Sequence, residues 1–223
     1  MSLGDLVQRI RAEFISDTTG NDEARYLWKT PGIVSALMQA ERELCRRVFC
    51  ITDSTTPAIC QLAVAPGGRS YVTDNRILQV KRLKFPGVAL PLPQKTTPLL
   101  DAQDPRWDEA SGTPTCFVRD QGKNVLTFDR SLTVNGTVQM IVTRLPLVRL
   151  TYQDLNSDME TTGLDDELIH GALKYLYLRP DIEGYDAKLS AYWRDQFEAD
   201  IATILLDRAA GGPSETVSQP EFF

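Results

Sequence analysis

The sequence predicts an α+β protein: a four-helix bundle-like domain with an antiparallel β-sandwich or barrel module inserted between helices two and three. Three observations predict it. Apolar residues recur at helical spacing in two stretches near each end of the chain. Between them, from about Thr52 to residue 150, the pattern turns strand-like, with short apolar runs separated by Gly, Pro and Asn-Gly. A hydrophobic content of 42% over 223 residues then supplies enough material for a sizeable core. The implied organisation is 1–51 for an N-terminal helix pair, 52–150 for the β-module, 151–208 for a C-terminal helix pair and 209–223 for an extended arm.

Leu3, Leu6, Val7, Ile10 and Phe14 set a first amphipathic helix over residues 2–15. A polar connection carrying Tyr26, Leu27 and Trp28 follows. Thr30-Pro31 reads as a helix start, a hydroxyl cap before a proline that needs no N–H. Ile33, Val34, Leu37, Ala40, Leu44 and Val48 mark the buried stripe of the second helix, which runs to about Phe49. The cluster Asp53-Ser-Thr-Thr-Pro57 breaks it off. Cys60, Leu62 and Val64 alternate as a strand, and Pro66-Gly67-Gly68 turns the chain as a hairpin would. In Ile77–Phe85 the apolar phase slips between Val80 and Leu83, which predicts a β-bulge near Lys81-Arg82.

Residues 86–105, rich in Pro and Thr, read as extended with little regular pairing. In GTPTCFVRDQGKNVLTFD, residues 112–129, Gly112-Thr113-Pro114 positions a strand and Asp120–Asn124 is its turn. Asn135-Gly136, between Leu132–Val134 and Val138–Val142, is a strong short-range hairpin signal. After a polar, acidic stretch, Asp165 caps a third helix whose stripe is Leu168, Ile169, Ala172, Leu173 and Leu176, ended by Arg179-Pro180. A fourth helix runs from about Tyr185 to Arg208, with Tyr185, Leu189, Tyr192, Trp193, Phe197, Ile201 and Ile204 at helical spacing.

Signs of chemistry are few. No nucleophile elbow, Walker loop or dinucleotide fingerprint is present. Gly67-Gly68-Arg69-Ser70 lacks the following helix that would receive a phosphate. His170 is the only histidine, in the third helix near Asp166, Glu167 and Lys174, and the sequence names no nucleophile for it. Cys45, Cys50, Cys60 and Cys116 form no CxxC pair, so they read as reduced, buried thiols of a cytosolic protein. Asp154, Asp158, Glu160, Asp165, Asp166 and Glu167 could form a carboxylate pair or a cation site. A solvated linker with a helix cap also accounts for them. Trp107, beside Asp101, Asp104, Asp108 and Glu109, is either a sugar-stacking platform or a loop aromatic tucked over a sheet edge. Arg76, Lys81, Arg82 and Lys84 make one basic strand, without the exposed aromatics of a nucleic-acid face. No catalytic residue, metal ligand or cofactor is expected.

The formal charge of −6 lacks the basic footprint of a nucleic-acid binder. No run approaches the roughly 20 apolar residues of a membrane helix, and the N-terminus carries no signal-peptide pattern. The ending GGPSETVSQPEFF has two aromatics and no core of its own. It is either disordered or an arm that fills a groove on a neighbour, with Pro220, Glu221, Phe222 and Phe223 as the contact.

Several segments in order carry a family resemblance: LVQRIRAEFISD followed by Trp28; IVSALMQAERELCRR; SYVTDNRILQVKRL; WDEASGTPTCFVRD with NVLTFD; and ELIHGALKYLYLRPD with AKLSAYWRDQF. Together they resemble the head-to-tail adaptor (connector) proteins of tailed bacteriophages, including the tail tubular A type. The chain departs at Asp129–Leu132, where those proteins often have a proline turn. The resemblance implies a non-enzymatic virion protein of the neck: a homo-oligomeric ring, dodecameric, between portal protein and tail or neck protein. DNA would pass through its lumen without sequence-specific binding. It also implies that the arm ending in Phe222-Phe223 reaches the portal or a neighbouring subunit. The other function class in view is a carbohydrate-binding or carbohydrate-acting β-sandwich, motivated by Trp107 and its carboxylates.

Overall fold

The structure is a computed structural model that describes residues 1–15, 28–179 and 184–211. Two compact units divide the chain: Met1–Ile51 with Pro146–Phe223, and Thr52–Leu145 between them. Helices dominate the first and antiparallel strand pairs the second. Tyr26, Leu27, Pro180 and the terminal Pro220, Glu221, Phe222 and Phe223 lie outside the described residues.

In the first unit, α1 spans Leu3–Arg9. Ser2 and Asp5 cap it reciprocally: the Asp5 N–H donates to Ser2 Oγ at 3.1 Å, and the Ser2 N–H to Asp5 Oδ2 at 3.2 Å. The predicted continuation to residue 15 takes a different form. Ile10–Phe14 widens into a π-turn, closed by the Ile15 N–H on the Ile10 carbonyl at 3.1 Å. Helix α2, Thr30–Val48, starts at the proline as expected, but Lys29 holds the cap position and Thr30 is already helical. The Thr30 hydroxyl accepts from Arg11 instead, at 3.1 Å. At the far end Phe49 closes α2 in the left-handed conformation (φ 52°), a position that glycine usually fills.

Helix α5, Asp165–Tyr177, packs against both α2 and α6, Ala187–Ala209. Leu168, Ile169, Ala172, Leu173 and Leu176 are fully buried, matching the predicted stripe. Asp165 lies inside α5, and Leu164 holds the cap position without a side-chain bond. For α6, Asp186 is a true cap, its Oδ1 accepting from the N–H groups of Lys188 and Leu189. Ion pairs tie the helices together at their rims. Glu43 meets Lys174 at 2.6 Å, and Arg47 grips Glu198 with two bonds of 2.5 and 2.6 Å.

In the second unit, β1 is Ile51–Asp53, α3 Pro57–Cys60, β2 Gln61–Val64, β3 Ser70–Val72 and β4 Ile77–Lys84. Helix α4, Thr97–Gln103, is followed by a short 3-10 turn at Trp107–Glu109. Then come β5 Phe117–Val118, β6 Val125–Phe128 and β7 Gly136–Arg144. Strands β1, β2 and β4 all pair with β7, while β3, β6 and β5 form a second sheet in that order. A strand has two edges, so two of the partners of β7 must share one. The rings of Phe85 and Phe128 meet edge-to-face at 5.7 Å, with Tyr71 at 5.9 Å on the far side of Phe128.

The bulge predicted near Lys81 is present: Val80 pairs with Val142, but Arg82 with Ile141. A second irregularity lies between Ile77 and Gln79. Together they bury Ile77, Val80 and Leu83, every third residue instead of every second. The hairpin between β5 and β6 is also as expected, with Phe117 opposite Phe128 and Asn124 at φ 60° in its turn.

Other turns differ. Asn135-Gly136 makes no hairpin: neither residue has a positive φ, and Gly136 opens β7 opposite Val64. A Cβ on Gly136 would lie 2.9 Å from Pro86 Cγ, so close packing explains the glycine. Gly67-Gly68 links strands of two different sheets and is not a hairpin turn. Residues 86–105 are not extended throughout, since Pro98 opens α4.

Gly171 in α5 has no room for a side chain, because a Cβ there would sit 2.8 Å from Ala40 Cβ and 3.0 Å from Phe197 Cε2. Gly171→Leu should therefore cost about 1–3 kcal/mol or more, read as a lowered midpoint in denaturant. Gly163→Leu, with nothing within 4 Å but a φ of +75°, should cost less.

Candidate functional site

Most of the candidate residues are held by a structural partner. His170 Nδ1 lies 2.8 Å from Asp200 Oδ2, thirty residues away on α6. Its ring stacks on Trp193 at 5.3 Å and meets the edge of Phe14 at 6.3 Å. A His–Asp pair resembles part of a catalytic triad, but a triad needs a nucleophile on the other ring nitrogen. Among the described residues no hydroxyl or thiol bonds to His170. The neighbours expected from sequence, Asp166 and Lys174, go elsewhere: Asp166 to Arg9 at 2.7 Å, and Lys174 to Glu43.

The thiols are equally unsuited to attack. All four are free and buried. Cys45 and Cys50 touch, Sγ to Sγ at 3.2 Å, and that contact with burial raises the Cys45 pKa. Burial and the neighbouring Asp53 carboxylate push Cys60 up to about 12. A reactive cysteine needs the opposite environment, one that favours thiolate.

Trp107 is tucked inward and is not a stacking platform. It is 7% exposed, packs with Leu100, Cys116 and Val118, and donates its Nε1–H to Asp101 at 2.7 Å. Arg69 lies over its ring and donates to the Ala110 carbonyl at 2.8 Å. The observation that motivated a sugar site is thereby removed, and the same contact occupies the arginine of Gly67–Ser70. Asp120, in the β5–β6 turn, caps α4 through the Thr97 N–H and hydroxyl at 2.6 and 2.7 Å. Of the acidic stretch, Asp154 closes its own loop on Thr151, and Glu160 accepts from the N–H groups of Leu147 and Val148. Among the described residues no group of three His, Cys, Asp or Glu could hold a metal ion. No described helix is long and apolar enough to cross a membrane. On the basic strand, Arg76 pairs with Asp74 at 2.8 Å and Lys81 donates to Thr52.

Two buried ionisable groups were invisible in the sequence. Asp53, 5% exposed, accepts from Arg144 Nε at 2.5 Å and from the N–H groups of Thr55 and Thr56. Burial alone would raise its pKa, but the bonds from Thr56 and Arg144 outweigh burial and hold it well below the usual carboxylate range. Glu41, 3% exposed, has the Thr161 hydroxyl at 3.2 Å and no cation bonded to it among the described residues. Burial pushes it up to about 7. The partners lie 91 and 120 residues away in sequence. No local pattern encodes them.

Compared with known protein families, residues 1–217 match one described as SU10 adaptor protein. The chain belongs to the SU10 adaptor protein family. A comparison with curated proteins finds no match. The family is a phage adaptor family, which fits the structural partners of His170, Trp107 and Asp120. Membership points to a structural adaptor that associates with head–tail components in the virion neck.

Two predictions concern the buried groups. Asp53→Ala removes the carboxylate from the buried Arg144 guanidinium and should cost about 3–5 kcal/mol in chemical denaturation. Paired with Arg144→Met, the loss should be smaller than the sum of the single losses. Glu41 holds a proton in the folded chain that the unfolded chain releases above its ordinary value of 4.5. Stability should therefore fall as pH rises from 4.5 to about 7 and stay lowered above that. Glu41→Gln should gain on the order of 2 kcal/mol at about pH 8 and almost nothing at about pH 4.

Proposed function

We propose that this chain is a head-to-tail adaptor: a ring of identical copies, dodecameric, that joins the portal to the tail or next neck protein and lets DNA pass through its centre. The observation that carries this reading is the match of residues 1–217 to a phage adaptor family. Helices α1, α2, α5 and α6 then form a four-helix bundle, with the β-module as an inserted sandwich, on the plan of the tail tubular A type. The formal charge of −6 suits such a channel, because a wall that gripped phosphates would retard DNA during ejection. No bond is made or broken, and no cofactor takes part. The β-module faces the tail side or fibres. Pro220, Glu221, Phe222 and Phe223 form the contact that reaches the portal or the neighbouring subunit, the two phenylalanines filling a groove as buried anchors.

Mixing the full chain with its cognate portal should give ring-shaped particles of the joined complex in negative stain. Deleting residues 211–223 should weaken that binding by at least about tenfold, since aromatic anchors contribute a large share of an interface. Unchanged portal binding by the truncated chain would remove the role of the arm. Failure of the full chain to bind the portal at all would remove the adaptor reading.

A further inference from the structure

Among the described residues, only one face of helix α6 is buried. Ser190, Phe197 and Ile201 turn inward and are buried. A quarter-turn or more away, Leu189, Tyr192, Gln196, Ala199, Thr203 and Leu206 follow one another at alternating three- and four-residue steps. That is the spacing of a helix–helix seam. None of the six is charged. Leu189 is 40% exposed, Tyr192 51% and Leu206 69%. In the middle, the small Ala199 and Thr203 would let another helix come close. The charges beside this stripe are Lys188 at its start, Asp195, which pairs with the adjacent Arg194 at 2.9 Å, Asp200, which holds His170, and Asp207, so its border carries three carboxylates.

Helix α2 carries a counterpart. Gln39, Arg42, Arg46 and Phe49 are exposed at the same three- and four-residue steps. Among the described residues Arg42 and Arg46 make no ion pair, unlike Arg47 next to them, which is held by Glu198. Phe49, at the end of this face, keeps its ring 38% exposed on a left-handed backbone that a bulky residue seldom adopts.

We infer that the outer stripe of α6 docks on the exposed face of α2 in a second copy of this chain. Charge complementarity selects the occupant, with Arg42 and Arg46 of one copy meeting the acidic border of α6 in the next. The two faces differ, so the contact is head-to-tail and propagates around an axis instead of closing a two-fold dimer. Its area is modest. From Leu189 to Leu206 is about 26 Å of helix, which at helix width buries roughly 500 Å² over both partners, below the ~1,000 Å² of a stable pair. One such contact is weak alone, and a closed ring that repeats it on both sides of every copy holds. The inference rests on the ring reading and names the surface that would build it.

Cysteine cross-linking tests it in the full chain. Gln39→Cys and Ala199→Cys are placed in one chain, and it is oxidised in concentrated solution and in particles that carry the protein. The expected result is a ladder of linked dimers, trimers and higher species that needs both new cysteines. Tyr192→Asp should weaken self-association, followed by sedimentation, by at least about tenfold. The equally exposed Leu99→Asp on α4 should leave it unchanged. A ladder from Ala199→Cys alone would mean that α6 pairs with α6 and would overturn the assignment. Oligomers without any ladder would place the subunit contact elsewhere, leaving the ring reading intact and this inference overturned. If Ala199→Cys in a monomer reacts with a maleimide only after residues 212–223 are deleted, the arm of the same chain covers the stripe, and the inference fails. No oligomer in solution or in particles would overturn the ring itself.

Discussion

At Gly171 the centres of three helices come closer than any side chain allows. Ala40 on α2 and Phe197 on α6 both press on the bare Cα of α5, and the rest of the helical unit is arranged around that approach. With α5 so tightly held, its apolar stripe is fully buried and polar contacts move to the rim. Glu43, Lys174, Arg47 and Glu198 close the sides of the stack. Close packing of this kind is intolerant of volume change, which makes the unit stiff. A stiff unit suits an adaptor, which must present fixed surfaces to the components it joins.

The polar interior is consistent with that purpose. His170 is clamped by Asp200 and Trp193, Asp53 by Arg144 and backbone N–H groups, and Asp129 by Thr115 and the Cys116 N–H. Each arrangement fixes one segment against another. In an active site some of these groups would face a cleft with a bond left to make. Their commitment to scaffold accords with the phage adaptor family to which the chain belongs. Glu41 is buried beside the neutral Thr161, with no cation bonded to it among the described residues, so it keeps its proton near neutrality.

Much of the helical part was legible because an amphipathic stripe needs only local spacing. The stripes of α2 and α5 fall where the periodicity put them; in α6 Phe197 and Ile201 are buried as expected, but Leu189 and Tyr192 of the expected stripe lie exposed. The single slip in β4 was visible for the same reason, although the second irregularity, near Leu78, was not. Short helices were missed despite a signal. Thr56-Pro57 and Thr97-Pro98 repeat the threonine–proline start that located α2, but proline-rich surroundings suggested extended chain. Asn135-Gly136 misled in the other direction, because a glycine chosen for packing against Pro86 looks the same in sequence as one chosen for a left-handed turn. The partnerships of Asp53, Glu41 and His170 span long stretches of chain, and only folding brings them together.

Among the described residues β4 pairs with no strand other than β7, so most of its other side is a sheet edge, although outside that ladder the Leu83 carbonyl accepts from the Leu92 N–H at 2.8 Å. A straight, apolar edge invites backbone pairing with any passing strand, including that of an identical chain. Here two irregular steps bend the strand, and Lys81, Arg82 and Lys84 stand along it. At high concentration any chain meets copies of itself constantly. The crooked, cationic border of β4 discourages amyloid-like stacking through exposed peptide groups.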